Sequence, residues 1–173
     1  MSLPLLAGAG WEREPTSYRD IPFGASEAEA ESKIGAKSKR GFDCRDDPRP
    51  GQPEQRFCFS VTEIWGSAMA PIRVDEALIF MSGKLVAVEM SVNSERYTDT
   101  RALLVEMYGE PFKKERSTVT NSRGAMFQDE RLQWKGKRMM LQFDRYRHGN
   151  LRRSEALLAT IGYYDEKVKR RLE

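Results

Sequence analysis

Two cysteines, three aspartates and a single histidine are the residues whose types and spacing could do chemistry here, and the chemistry they suggest is structural. Cys44 and Cys58 bound a 15-residue loop that holds Pro48, Pro50, Gly51 and Pro53 and almost nothing apolar before Phe57. Such a loop cannot hold itself by burial, and a disulfide at its base would supply the constraint, worth about 3 kcal/mol by chain entropy. Disulfides persist in oxidising compartments. The alternatives are two free buried thiols, or a Cys/His metal site that needs more ligands than two cysteines and the distant His148. The disulfide is the expectation, with no metal. Asp43, Asp46 and Asp47 lack the alternating ligands and closing glutamate of a calcium loop, and Arg45 and Arg49 stand beside them to neutralise their charge.

A Ser-His-Asp or Cys-His site would need His148, which sits in the turn-like Arg147-His148-Gly149-Asn150. No phosphate-binding glycine loop and no dinucleotide fingerprint is present. Gly24-Ala25-Ser26 lacks the second glycine of a nucleophile elbow. The expectation is therefore no catalytic residue, no cofactor and no enzyme. The alternative enzyme reading is a hydrolase using carboxylates such as Glu76 and Glu89, which cross-strand pairing could bring together.

The candidate partner-binding residues are Trp65 and the basic cluster Arg145, Arg147, Arg152 and Arg153. Trp65 lies in a loop flanked by Gly66 and Ala68, where an exposed aromatic can anchor a partner; the alternative is a cap on the core together with Ile64. The net charge of +3 is unevenly spread. Residues 131–173 carry 12 Lys+Arg against 5 Asp+Glu (+7), which leaves 17 against 21 (−4) for the first 130. With Lys167, Lys169, Arg170 and Arg171, the arginines suggest an acidic partner, a polyanion or a solvated rim. Aromatics are not repeatedly interleaved with them and no nucleic-acid motif appears, so a nucleic-acid partner is not expected.

These residues have to be positioned by a chain of 173 residues with 39% apolar and 32% charged composition, which is globular in character and long enough for one domain or two small halves sharing a core. Ser26–Ile34 reads as a helix, opened by a capping box of Ser26 and Glu29 and closed by Gly35. A polar segment to Gln55 leads to a strand at Arg56–Thr62. Ile72–Val92 reads as a hairpin that turns at Ser82-Gly83, with Val74, Glu76, Leu78 and Phe80 on one face. On its return strand the alternation puts Val86, Val88, Met90 and Val92 on one side and Leu85, Ala87, Glu89 and Ser91 on the other.

A second helix spans Tyr97–Tyr108, closed by Gly109 in a left-handed cap and by Pro111. A short strand at Ser117–Thr120, a hairpin at Ala125–Tyr146 turning near Lys135-Gly136, a strand at Glu155–Tyr163 and a charged helical tail at 164–173 complete the chain. The order helix, glycine, strands and hairpin thus occurs twice, in units 23–93 and 94–163 of one domain spanning 23–163. The fold-class expectation is α+β, two helix-plus-antiparallel-strand units in tandem with the helices packed on antiparallel sheet.

The first 22 residues are read as a signal-peptide remnant followed by an extended lead-in at Ile21-Pro22-Phe23. Leu3-Pro4-Leu5-Leu6-Ala7-Gly8-Ala9 has the small-x-small pattern that signal peptidase accepts, without a charged n-region, so Met1-Ser2-Leu3 reads as a start that replaces the native N-terminus. No run approaches the roughly eighteen apolar residues of a membrane span.

A helix ending in glycine, antiparallel strands, and Tyr108-Gly109-Glu110-Pro111 closing a second helix resemble small exported bacterial modules of the β-lactamase-inhibitor-protein-like fold. The plan is also similar to that of outer-membrane-assembly lipoproteins of the SmpA/OmlA type. The resemblance covers roughly Phe23 to Tyr163, and it implies action by protein–protein contact across the sheet face and its loops, without an active site. No lipobox cysteine follows the signal-like segment, which favours an unanchored form. The sequence reading is a periplasmic or secreted module that binds a protein partner or associates peripherally with the envelope; a carboxylate hydrolase and a polyanion-binding module are the alternatives.

Overall fold

In the computed structural model, residues 11–34, 42–47, 55–64, 66, 70–147 and 150–172 are described, with side chains to Val168. The chain opens with a small hairpin, β1 (Ser17–Tyr18) and β2 (Ile21–Pro22), and helix α1 (Glu27–Ile34). Strands β3 (Asp43–Asp47), β4 (Gln55–Ile64), β5 (Ile72–Met81) and β6 (Lys84–Asn93) follow. After a short 3-10 turn come α2 (Tyr97–Tyr108), β7 (Lys113–Thr120), β8 (Met126–Lys135), β9 (Met139–Asp144), β10 (Arg153–Thr160) and α3 (Ile161–Leu172).

The eight long strands form one antiparallel sheet in the order β3-β4-β5-β6-β10-β9-β8-β7. This overturns the expectation of two helix-plus-strand units packed in tandem. The protein is α+β, but its described residues are mostly strand, with one continuous eight-stranded sheet and three short α-helices among them. The physical reason is the central pairing of β6 with β10, in register from Arg153↔Asn93 to Ala159↔Ala87, which leaves neither half a free inner edge. Two strands escaped the sequence reading in whole or in part. β3 lies in the segment that the sequence reads as polar loop, and β7 runs four residues longer than the expected Ser117–Thr120.

Each face of the sheet has its own apolar cluster. Leu78, Phe80, Val88, Leu132, Trp134, Leu141, Phe143 and Leu158 point to the face covered by α1 and α2, where Ile34, Tyr97, Leu103 and Leu104 close the main core. Ile79, Ala87, Leu157 and Ala159 form a smaller cluster on the other face, with Tyr163 and Tyr164 of α3. α3 begins at Ile161, so Tyr163 is helical and not the end of the last strand.

Local signals explain most boundaries. The Ser26 amide donates to Glu29 Oε2 (2.7 Å) and the Glu29 amide to Ser26 Oγ (3.3 Å), the reciprocal pair of a capping box. Ser82 (φ 49°) and Gly83 (φ 73°) take the positive φ values that a two-residue hairpin turn demands. Gly109 does end α2, but with φ 81° and ψ −174° it lies outside the left-handed helical region, in a conformation open essentially to glycine alone. A bulge interrupts the alternation on β6. Ile79 pairs with Ala87 while Phe80 pairs with Leu85, so Val86 is an extra residue and Leu85 joins the main core with Val88.

Candidate functional site

The disulfide Cys44–Cys58 joins cross-strand partners on β3 and β4. Both sulfurs are therefore spent, and the carboxylate of Glu27 near them forms an ion pair with Arg56 at 2.8 Å instead of completing a metal site. Asp43 pairs with Arg45 and Asp46 with Arg56, each at 2.8 Å. Trp65 and His148 lie outside the described residues, as do the signal-like segment 1–10, Gly35, Arg49 and the side chains of Lys169, Arg170 and Arg171.

Most of the basic cluster is engaged within the fold. The Arg145 guanidinium lies 5.3 Å from the ring centroids of both Tyr97 and Tyr146. Arg147 pairs with Glu155 at 2.5 Å, and Arg153 with Asp75 at 2.5 Å while also donating to Ser91 Oγ. Arg152 is exposed. The four arginines sit near one another, but three of them hold β5, β6, β10 and α2 in place, which lowers their value as a free polyanion surface.

The proposed carboxylate pair is not brought together. Glu76 pairs in register with Met90, so Glu76 and its neighbour-in-register Glu89 point to opposite faces. Glu76 is enclosed beneath the helices, where the Tyr18 hydroxyl and Arg19 Nη1 both donate to it at 2.5 Å. Burial first, and the Glu76 charge second, push the Tyr18 hydroxyl well above the usual phenol range. Glu130 on β8 repeats this chemistry on the same face, with three strands between. Tyr97 donates to it at 2.6 Å, with Arg101 and Arg116 beside it. Burial alone would raise the Glu130 carboxyl, but Tyr97 and the two arginines hold it below its ordinary value. Glu155 faces the other way, and burial together with Glu89 pushes its carboxyl up. No two of Glu76, Glu130 and Glu155 share a cleft, although Glu155 lines a small one beside Asp144 and Lys167.

A sizeable cleft lies at the end of α2. A helix leaves its last carbonyls unpaired, and here two indoles fill them. Trp11 Nε1 donates to the Tyr108 carbonyl (2.8 Å) and Trp134 Nε1 to the Gly109 carbonyl (2.7 Å). Between these rings opens a cavity of about 430 Å³, lined by Trp11, Glu12, Arg13, Tyr108, Gly109, Glu110, Phe112, Trp134 and Lys135. That volume falls in the range of ligand clefts, roughly 300–1,000 Å³.

Phe112 stands at the rim with 59% of its surface exposed. The wall formed by Trp11 is a strap from the N-terminal segment. Arg13 Nη1 donates to the Glu106 carbonyl (2.6 Å), and Glu14 accepts from the amides of Lys137, Arg138 and Met139 at 3.1, 2.6 and 2.7 Å. The cleft holds no nucleophile–base pair. Its rings can grip an apolar or aromatic group while Glu12, Arg13, Glu110 and Lys135 orient charge around it.

Sequence reasoning missed this site because its walls come from positions about a hundred residues apart, and no motif announces that. The signals available were a tryptophan followed by Glu12-Arg13-Glu14 and a phenylalanine directly after the helix-ending Pro111. No protein-family model, no curated protein and no solved structure matches the chain. No helix among the described residues is long and apolar enough to cross a membrane.

Proposed function

We propose that the protein is an exported binding module, periplasmic or secreted, that acts by contact with a protein partner and not by turnover. The observation that carries this reading is the aromatic cleft at the end of α2, where exposed Phe112 joins Trp11, Tyr108 and Trp134. Aromatic residues, Met and Arg are the types enriched at protein interfaces, and hot spots favour Trp, Tyr and Arg in desolvated pockets. The Cys44–Cys58 disulfide supports the compartment, because such bonds persist where thiols are not kept reduced. The separation of the buried carboxylates weighs against the hydrolase, and the engagement of Arg145, Arg147 and Arg153 within the fold weighs against polyanion binding.

The test places a photoreactive phenylalanine analogue at position 112 and, in a second protein, at position 59. Phe59 is also exposed (43%) but lies on the face opposite the main core. Irradiation in envelope extract should give discrete heavier species from position 112 and not from position 59. The same adducts from both positions, or none from position 112, would overturn the assignment.

A further inference from the structure

We propose that the β8–β9 turn is a carboxylate receptor filled in cis by Glu14, and that a partner engages the cleft by exchanging with that strap. The inference rests on the reading of the cleft as a partner site, and it names the partner's chemistry: an acidic peptide that turns as the strap does, where the Glu14 amide donates to the Trp11 carbonyl (3.1 Å), with an aromatic residue three positions ahead of a carboxylate.

The receptor is built from backbone. Three consecutive amides, those of Lys137, Arg138 and Met139, converge on one carboxylate, an arrangement that takes an anion from any source that fits. Gly136 makes room for it, since a Cβ there would lie 2.3 Å from Glu14 Cδ. The side chains of Lys135, Lys137 and Arg138 are exposed around the turn, and no salt bridge holds any of them among the described residues. Lys135 also lines the aromatic cleft, so receptor and cleft form one continuous surface. Burial alone would raise the Glu14 carboxyl, yet the three amides and Arg138 hold it below its ordinary value, as a receptor for the ionised form should.

The occupant is held by its side chains and not by strand pairing. Residues 11–16 pair with no strand, Glu12 and Arg13 are exposed, and Trp11 and Glu14 are only half-buried. Beyond Pro15 the chain is fixed, because Tyr18 and Arg19 are clamped by Glu76. The strap can therefore leave while the hairpin behind it stays. It displays the two groups the surface recognises: an indole set edge-on against Tyr108 (centroids 5.7 Å apart) and, three residues later, the carboxylate in the turn.

The probe is a fluorescent, end-blocked hexapeptide with the sequence of residues 11–16, Trp-Glu-Arg-Glu-Pro-Thr, titrated by anisotropy into full-length protein. A tethered competitor acts at an effective concentration of order mM, so the Glu14→Ala protein should bind the peptide at least about tenfold more tightly than the wild type. A peptide with Gln in place of its second Glu should lose about tenfold or more. Adding Gly136→Ala to Glu14→Ala should abolish binding, because the new Cβ occupies the carboxylate's place. Should Glu14→Ala fail to fold, Glu14→Gln keeps the comparison, with the same order of affinities expected.

Equal binding by wild type and variant, equal binding of the Glu and Gln peptides, or no binding to any protein would each overturn the proposal. So would a concentration-dependent dimer of the wild type that Glu14→Ala dissolves, since the strap would then be exchanging between copies. Crosslinking at position 112 that persists while the peptide fails removes only the receptor. Peptide binding without any crosslink removes the partner reading.

Discussion

Replacing Glu76 tests whether the N-terminal hairpin is held to the sheet by a buried polar clamp. The side chain of Glu76 is fully enclosed, and its two oxygens take the Tyr18 hydroxyl and Arg19 Nη1 at 2.5 Å each. Tyr18→Phe removes one hydrogen bond to a charged group, worth about 1.5–3 kcal/mol, and leaves the carboxylate with Arg19. Glu76→Leu removes the acceptor of a buried hydroxyl, costing about 1–3 kcal/mol for the stranded group. Breaking a fully buried ion pair costs about 3–5 kcal/mol, but Arg19 keeps 27% of its side chain in solvent and can turn outward. We therefore expect about 3 kcal/mol in total for Glu76→Leu. In the double variant the hydroxyl is no longer stranded, so its cost should not exceed that of Glu76→Leu alone, a coupling of about 2 kcal/mol or more. Urea unfolding of the four proteins measures this cycle. Costs that add to within about 0.5 kcal/mol would refute the clamp, because that is the behaviour of independent sites.

Reduction of Cys44–Cys58 should lower stability by about 3 kcal/mol, the chain-entropy value for a loop of this length, read as a fall in the urea midpoint on adding reductant; an unchanged midpoint contradicts the constraint. Gly109→Ala should cost about 1–3 kcal/mol, since φ 81° with ψ −174° is closed to alanine, and it should leave α1 and the Cys44 loop untouched in an amide spectrum. Glu155 has its carboxyl raised above the ordinary 4.5 by burial and by Glu89, so the folded state holds its proton longer than the unfolded state does. The stability this contributes is present in acid and lost as pH rises through the raised value. Glu155→Gln should therefore gain on the wild type as pH rises from the ordinary carboxylate value of 4.5 through the raised one, and a difference in unfolding free energy that stays flat with pH would rule this out.

Elements with one buried face or a strong punctuation residue were legible. The bounds of α2 follow from Gly109 and Pro111, the start of α1 from Ser26 and Glu29, and the β5–β6 turn from Ser82-Gly83. β3 was not legible, because Asp43-Cys44-Arg45-Asp46-Asp47 has no alternation and its pairing is set by β4 and the disulfide. β7 is an edge strand whose residues are exposed apart from a half-buried Val119, so it carries no period of two to read. The bulge at Val86 reversed the facing of Leu85 and Val86, which no composition signal reports. Trp11–Glu14 was read as the end of a leader because its contacts lie 93 to 125 positions away, on Glu106, Tyr108 and the β8–β9 turn. Glu76 stood out as a charge on an apolar face, but its partner was hidden in a hairpin that needs Arg19 and Asp20 at positive φ.

The two carboxylates that fasten the N-terminal segment differ in a way that separates stability from recognition. Glu76 belongs to the sheet and is sealed beneath the core, so losing it strands a buried hydroxyl and weakens the whole fold. Glu14 belongs to the strap and meets amides at a solvated turn, so losing it opens the amide cradle while the core stays packed. A segment anchored beneath the core at Tyr18 and at a solvated turn by Glu14 has a built-in division between a fixed root and a movable tip. That division is what a self-occupied binding site needs: a competitor replaces contacts at the tip without unfolding the root, at an energetic cost set by the strap alone. It follows that Glu76→Leu should lower the unfolding midpoint with little effect on peptide affinity per folded molecule, and Glu14→Ala should do the reverse. Peptide affinity that tracked global stability across both variants would show that strap and core open together, and the cleft would then be an ordinary seam of the fold.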